Sequence, residues 1–423
     1  MQDSPTRVLQ LRSPKEIRAE LERVGADSSL EEKVTRAQFH LVKLERVNLP
    51  LARLLYQELL MEGGQVVTAP RLEHVGAGET DVLLCATRYQ FNHLFVRLRW
   101  QPSEELQWLA DHIERALERL LSPPPAMEIG SAVWDWQRTY LMGILNVTPD
   151  SFSGDALLEP NAPESENIAR VLARARELVQ DGADLLDIGG ESTHPRATPV
   201  PMQVEMQRVL PAVRALKNEI RVPLSIDTSK AMVAQAALDA GAHFVNDVTG
   251  LRGDVEMKRV VAAHRVPVVI MHNWLHDARP QNITDSISVI IHELQTQIDA
   301  ALDAGIAEQN IIVDPGLGFG KTLDENLAIL NRLAEFRAFG RPLLIGPSRK
   351  GFITKATGVA MHERDDLSTR ILSDESRVRV DTSDGTAAAI TIGIVNGAKI
   401  VRVHDVKKMS RVAKMTDVIT NAQ

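Results

Sequence analysis

Eight short apolar runs recur between Leu141 and His404, and stretches of helical length separate most of them. In order they are Leu141–Val147, Leu185–Ile188, Pro223–Asp227, His243–Asp247, Val266–His272, Ile311–Asp314, Pro342–Gly346 and Lys399–His404. Runs that are apolar nearly throughout belong to strands buried on both faces, as in a parallel sheet covered by helices. The intervening segments, such as Asn167–Asp181 and Lys230–Ala240, are amphipathic, and several stop at a glycine: Gly182, Gly241 and Gly305. Glycine is the usual residue just past a helix end. Eight such βα units within about 280 residues match an α/β fold of the (β/α)8 TIM-barrel kind. A doubly wound open sheet is the alternative that the pattern leaves.

The sharpest boundary upstream is Ser122-Pro-Pro-Pro-Ala126. Three prolines cannot continue the helix that Glu104–Leu121 predicts. Residues 1–122 therefore form a smaller α/β domain, 123–138 a Pro-rich linker, and 139–423 the barrel. Within the first domain, Phe39–Leu44, Gln65–Thr68 and Thr80–Cys85 read as strands, and Leu51–Glu62 and Gln90–Leu98 as helices. The first 35 or so residues are charged and read as a helical arm. No separate catalytic motif occurs in this domain, which reads as an interaction or regulatory unit.

Composition removes several classes of function. Hydrophobic residues make up 44% of the 423-residue chain, enough for a large core. The net charge of −8 argues against a broad nucleic-acid surface. Cys85 stands alone, so an intrachain disulfide is impossible and a reducing, cytoplasmic setting is expected. Met1–Leu11 carries Asp3 and no long apolar run, which predicts no signal peptide. No segment approaches 18 uninterrupted apolar residues, so neither a membrane span nor a membrane partner is expected.

In a TIM barrel the working groups lie at the carboxyl ends of the strands. The first strand ends in Asn146-Val-Thr-Pro-Asp-Ser-Phe-Ser153, rich in hydroxyls, though a capped turn has the same composition. The second ends in Gly189-Gly-Glu-Ser-Thr-His-Pro195, where Ser192 and Thr193 can donate to an anion. Asp227, after the third, is either a ligand group or a helix cap. Asn246 and Asp247 are both polar within an apolar run, and buried polar groups need partners. His272 after the fifth reads as a structural histidine. The sixth ends in Asp314-Pro-Gly-Leu-Gly-Phe-Gly-Lys-Thr322, which resembles a nucleotide loop but is one residue short of the P-loop spacing. It reads instead as a tight loop that leaves Asp314 pointing into the barrel. The last two strands end in Ser348-Arg-Lys350 and Arg402-Val-His404. Residues i and i+2 on a strand share a face, so Arg402 and His404 are expected side by side at a frequent phosphate position.

Six motifs in order are similar to dihydropteroate synthase, from about residue 139 to about 410: Met142-Gly-Ile-Leu-Asn-Val-Thr-Pro-Asp-Ser-Phe-Ser153, Asp187-Ile-Gly-Gly-Glu-Ser-Thr193, Ile226-Asp-Thr-Ser-Lys230, Asp314-Pro-Gly-Leu-Gly-Phe-Gly-Lys321, Ser348-Arg-Lys350 and Arg402-Val-His-Asp-Val406. The resemblance implies a folate-pathway transferase that joins p-aminobenzoate to a pterin diphosphate and works as a homodimer with Mg2+. It implies Lys350, Arg402, His404 and Asn146 as catalytic residues, with Asn146 also the metal ligand. Asp314, Asp227, Asn246, Lys350, Arg402 and Met271 would hold the pterin, and His404 and Ser192 the diphosphate. Phe152, Thr193, Pro195 and Phe319 would shape the p-aminobenzoate site.

The chain departs from the family pattern at three places. His194 stands where the family usually has Arg, Ser153-Gly-Asp-Ala156 differs in loop one, and Met361–Asp384 is long and charged. Two alternatives remain on sequence alone. One is a pterin-dependent methyltransferase serving a corrinoid protein; the other is a pterin-binding paralogue without turnover.

Overall fold

The computed structural model describes residues 6–11, 13–69, 78–149, 156–192, 198–276, 278–358 and 382–422. Phe152, Thr193, His194, Pro195, the altered part of loop one and most of the 361–384 insertion lie outside the described residues. The chain divides into two compact units, Met1–Ser122 and Pro123–Ala422.

The first unit is built on an antiparallel sheet, β1 (Phe39–Asn48), β2 (Gln65–Thr68) and β3 (Glu79–Thr87), in the order β1-β3-β2. Its core joins Val82, Leu84 and Ala86 of β3 to residues of three helices, Leu49–Met61, Arg88–Trp100 and Glu104–Leu121. Thr87 and Gln90 form a capping box that starts the second of these helices. The charged first stretch is two helices, Pro14–Arg23 and Leu30–Ala37.

The residues read as a linker are only partly one. β4 (Met127–Ile129) and β5 (Ala132–Trp134) pair as a hairpin turning at Gly130-Ser131. Alternation explains it: Met127, Ile129 and Trp134 are buried, while Glu128 and Val133 are exposed. Proline is confined to positions 123–125, so the chain regains strand geometry straight afterwards.

Eight parallel strands then close a barrel: β6 (Tyr140–Asn146), β7 (Leu185–Gly189), β8 (Leu224–Asp227), β9 (Phe244–Asp247), β10 (Val268–Met271), β11 (Ile311–Asp314), β12 (Leu343–Ile345) and β13 (Ala398–Val403). Closure, seen in the pairing of β13 with β6, excludes the open-sheet alternative. One large core fills the space between strands and helices. A second lies inside the barrel, where Met142, Leu185, Phe244, Val269, Ile312, Leu344 and Ile400 cluster with Met127, Ile129, Trp134 and Trp136. The hairpin therefore plugs the amino end, and Trp136 Nε1 ties it down by donating to Pro125 O at 2.7 Å. Among the described residues no helix is long and apolar enough to cross a membrane.

Candidate active site

At the carboxyl end the barrel lining changes from apolar to charged. Asp187 of β7 is fully buried, and its Oδ2 accepts from Arg402 Nε at 2.7 Å and from Asn246 Nδ2 at 2.9 Å. Arg402 Nη2 also donates to Asp227 Oδ2 at 2.6 Å. One guanidinium thus bridges carboxylates on two strands, the forked geometry arginine supplies and lysine does not. The carboxylate beside Asn246 fixes its amide direction: nitrogen toward Asp187, oxygen without a side-chain partner among the described residues.

The neighbouring Asp247 faces the other way, as adjacent strand residues must. Its Oδ1 accepts from Thr249 N at 2.8 Å and Thr249 Oγ1 at 2.7 Å, and its Oδ2 from Leu251 N at 3.1 Å. The partner sought for this buried carboxylate is the turn after β9, not a substrate. His272 likewise points outward. Its Nε2 meets Glu293 Oε2 of the helix Ser286–Asp303 at 2.7 Å, and Trp274 Nε1 donates to the same oxygen at 3.1 Å. Burial lowers the His272 pKa to about 4.

Asp314 ends β11 in register with Met271, and its Oδ1 accepts from Gly316 N at 2.7 Å. The glycines that follow are required by close approaches. Gly316 has φ of +71°, and a Cβ there would lie 1.8 Å from His272 O; at Gly318 it would meet Lys350 Cδ at 2.6 Å. Lys321, which superficially suggests a P-loop, points into this loop. Its Nζ donates to Gly316 O at 2.8 Å, His272 O at 3.2 Å and Phe319 O at 3.3 Å, so it braces backbone. Lys350 Nζ donates to Leu317 O and lies 4.1 Å from the Phe319 ring centroid. Phe319 packs against the inner-barrel cluster that contains Met271.

The strand alternation that would align Arg402 with His404 stops at Val403, because His404 already lies in a bend. Arg402 turns to the two aspartates, whereas His404 Nδ1 meets Ser348 Oγ at 3.0 Å. Burial, with Arg349, Arg402, Arg174 and Lys350 nearby, holds His404 well below the usual histidine pKa. It is a neutral imidazole near pH 7, not a second cation beside Arg402. Asn146 ends β6, half-buried, in register with Gly189, and Ser192 is half-buried in the loop after β7.

Burial sets the other ionisations. It raises Asp227 to about 7 against the pull of Arg402, with Asp187, Glu205 and Asp247 adding to the rise. It raises Asp314, opposed by Lys350, and lowers Lys350 to about 7, opposed by Asp314. Arg402 remains charged, its pKa raised by Asp187 and Asp227 against its own burial. Among the described residues, no cluster of three or more His, Cys, Asp or Glu side chains is placed to hold a metal.

Two further groups shape the mouth beyond the residues predicted from sequence. Asp187 is a carboxylate inside an apolar strand, the same sequence signal that marks Asn246. Lys230 Nζ donates to Glu191 Oε2 and to the fully buried Glu205 Oε2, both at 2.5 Å. Glu191 Oε1 accepts from Val200 N at 2.8 Å, so this ion trio joins the end of β7 to the segment just before the helix Met202–Glu219.

A closed eight-stranded barrel with a charged carboxyl-end mouth defines a (β/α)8 enzyme, and the family model described as "Pterin binding enzyme" matches residues 142–404. Dihydropteroate synthase of Bacillus subtilis is 41% identical over 286 residues, covering 67% of this chain and 90% of that one. The solved dihydropteroate synthase of Xanthomonas albilineans with 4-aminobenzoic acid covers 71% of this chain and all of its own, at 34% identity and a TM-score of 0.60. A probable bifunctional folylpolyglutamate synthase/dihydropteroate synthase of Halobacterium salinarum is 36% identical over 370 residues, 87% of this chain and 41% of that one. The chain belongs to the dihydropteroate synthase family and is a transferase.

Proposed function

We propose that the chain condenses 7,8-dihydropterin-6-ylmethyl diphosphate with p-aminobenzoate, giving 7,8-dihydropteroate and diphosphate, at the carboxyl end of the barrel. The observation that carries the reading is one mouth that gathers the buried Asp187, Asp227, Asn246 and Asp314 with the half-buried Lys350 and Arg402. Charged and polar groups are costly to bury, and a flat ring with donors and acceptors on its edge recovers that cost.

In this reading Asp314 accepts from the 2-amino and N3–H donors of the pterin edge. The Asn246 oxygen and Asp227 meet the other ring nitrogens. Lys350, with one of its three donors on Leu317 O, directs the others at O4 and N5. Arg402 covers one face of the ring, and Met271 gives apolar contact. The C–O bond between the pterin methylene and the diphosphate breaks, and the electron pair leaves with the diphosphate. The aniline nitrogen of p-aminobenzoate forms the new C–N bond and then loses its proton to solvent. His404, as a neutral donor, and Ser192 bind the departing diphosphate. The family resemblance assigns Phe319, Thr193, Phe152 and Pro195 to the aminobenzoate side.

Mg2+ fits this donor set only as an ion held chiefly by the substrate. Asn146 offers it a single neutral oxygen, and Mg2+ commonly keeps waters and phosphate oxygens as most of its ligands. When bound it neutralises charge developing on the leaving diphosphate. The reading carries two further expectations, a cytoplasmic protein and a homodimer.

The test is diphosphate release by the purified protein, given the pterin diphosphate, Mg2+ and p-aminobenzoate, with each omitted in turn. Release that requires all three, with dihydropteroate formed, supports the reading. Pterin binding without release would move the chain to the non-catalytic paralogue. The methyltransferase alternative loses ground because the relatives are synthases.

A further inference from the structure

Asp187 has no role so far, yet it is fully buried at the centre of the mouth's hydrogen bonds. It joins β9 and β13 through one atom, since Oδ2 accepts from both Asn246 Nδ2 and Arg402 Nε. Its Oδ1 is buried with no protein partner among the described residues, so Oδ2 alone ties the carboxylate to its neighbours. An asparagine could set its oxygen at the Oδ2 position and its nitrogen at the partnerless Oδ1, but it would hold Arg402 without the charge that makes the bond strong. A carboxylate is also what turns the Asn246 amide, because only its NH2 end can approach an acceptor. Asp187 is the side chain that, among the described residues, holds the Asn246 nitrogen away from a ligand and braces the Arg402 guanidinium beside Asp227.

We propose that Asp187 is the positioning residue of the pterin floor, setting the direction of the Asn246 amide and the plane of the Arg402 guanidinium. The inference rests on the functional reading given above. It has an electrostatic consequence that simple structural support lacks. Asp227 touches Arg402 from β13 and feels the charges of Asp187 from β7, of the outward-turned Asp247 from β9, and of Glu205 from the helix Met202–Glu219, where Lys230 partly offsets Glu205; Lys350 after β12 also senses it. Asp187 raises the Asp227 pKa, so removing its charge lowers it. Arg402, released from Asp187, would then serve Asp227 alone, which acts in the same direction.

The experiment compares wild type with Asp187→Asn, as the full chain. The Kd for the pterin diphosphate is measured without p-aminobenzoate, the KM for p-aminobenzoate separately, and kcat/KM for the pterin from pH 5.5 to 9. We expect pterin Kd to rise about tenfold or more, the p-aminobenzoate KM to stay within about twofold, and the acid midpoint to move to lower pH. Asp187→Ser, smaller and also without the charge, carries the same readouts if Asp187→Asn does not fold. Unchanged pterin affinity, or equal losses for both substrates with an unmoved midpoint, would overturn the inference alone. Wild-type protein that fails to bind the pterin would overturn the functional reading, and this inference with it.

Discussion

The two ends of the same eight strands are built from opposite chemistry. The amino end is stoppered by the β4–β5 hairpin, with Trp134 stacked on Tyr140 at 4.1 Å and Trp136 fully buried beside them. The carboxyl end, a few residues further along each strand, buries Asp187, Asp227, Asn246 and Asp314 and half-buries Arg402 among them. An apolar end is stable as it stands, because burial of aromatic surface is favourable by itself. A charged end is not: it raises carboxylates, lowers lysines and waits for a partner. The difference teaches that stability and function are drawn from separate layers of one barrel, and it can be broken by experiment.

The largest effect is expected at the apolar end. Trp136→Ala removes a fully buried side chain and its bond to Pro125, and should cost about 3–5 kcal/mol in urea unfolding of the barrel. Pterin affinity of the folded variant should stay within about twofold; a collapse of affinity would show that the two ends are coupled. Next comes Asp314→Ala. Loss of a buried charged acceptor should cost about 3 kcal/mol of pterin binding, roughly a hundredfold in Kd by calorimetry, with little change in thermal midpoint. Retained binding would remove Asp314 from the assigned pocket.

A smaller, graded effect follows from ionisation. Asp227 is raised to about 7, so it is a carboxylate above that pH; Lys350 is lowered to about 7, so it is an ammonium below it. A site that needs both charges gives kcat/KM for the pterin a bell shape centred near pH 7, with limbs falling about tenfold per unit. The two groups interact through Asp314 and Arg402, so the limbs belong to the cluster and not to single residues. A flat profile from pH 6 to 9 would mean that neither charge is used. The smallest effect is expected from His194→Arg. A permanent charge should leave turnover within about threefold and favour it at high pH, where histidine is neutral. A large loss would show that His194 has a role of its own.

The sequence by itself determined the barrel. Eight near-continuous apolar runs spaced by helices leave few other folds, since a strand apolar on both faces must be covered on both. It also determined which strand ends carry polar groups, because Asp227, Asn246, Asp314 and Arg402 interrupt apolar runs where interruption is costly. Tertiary structure decided what those groups face. Asp247 and Asn246 are neighbours in sequence, but only the pleat sends one to the turn and the other to Asp187. His404 leaves the Arg402 face because the strand ends one residue early. Lys321, in a loop that suggests phosphate, is turned to carbonyls by glycines at positive φ. The hairpin at 127–134 is short, and its role as a plug exists only once the barrel closes above it. Asp187 meets Arg402 across 215 residues of chain. Local pattern encodes periodicity and burial; which buried charge meets which is fixed by closure, and no local pattern contains that.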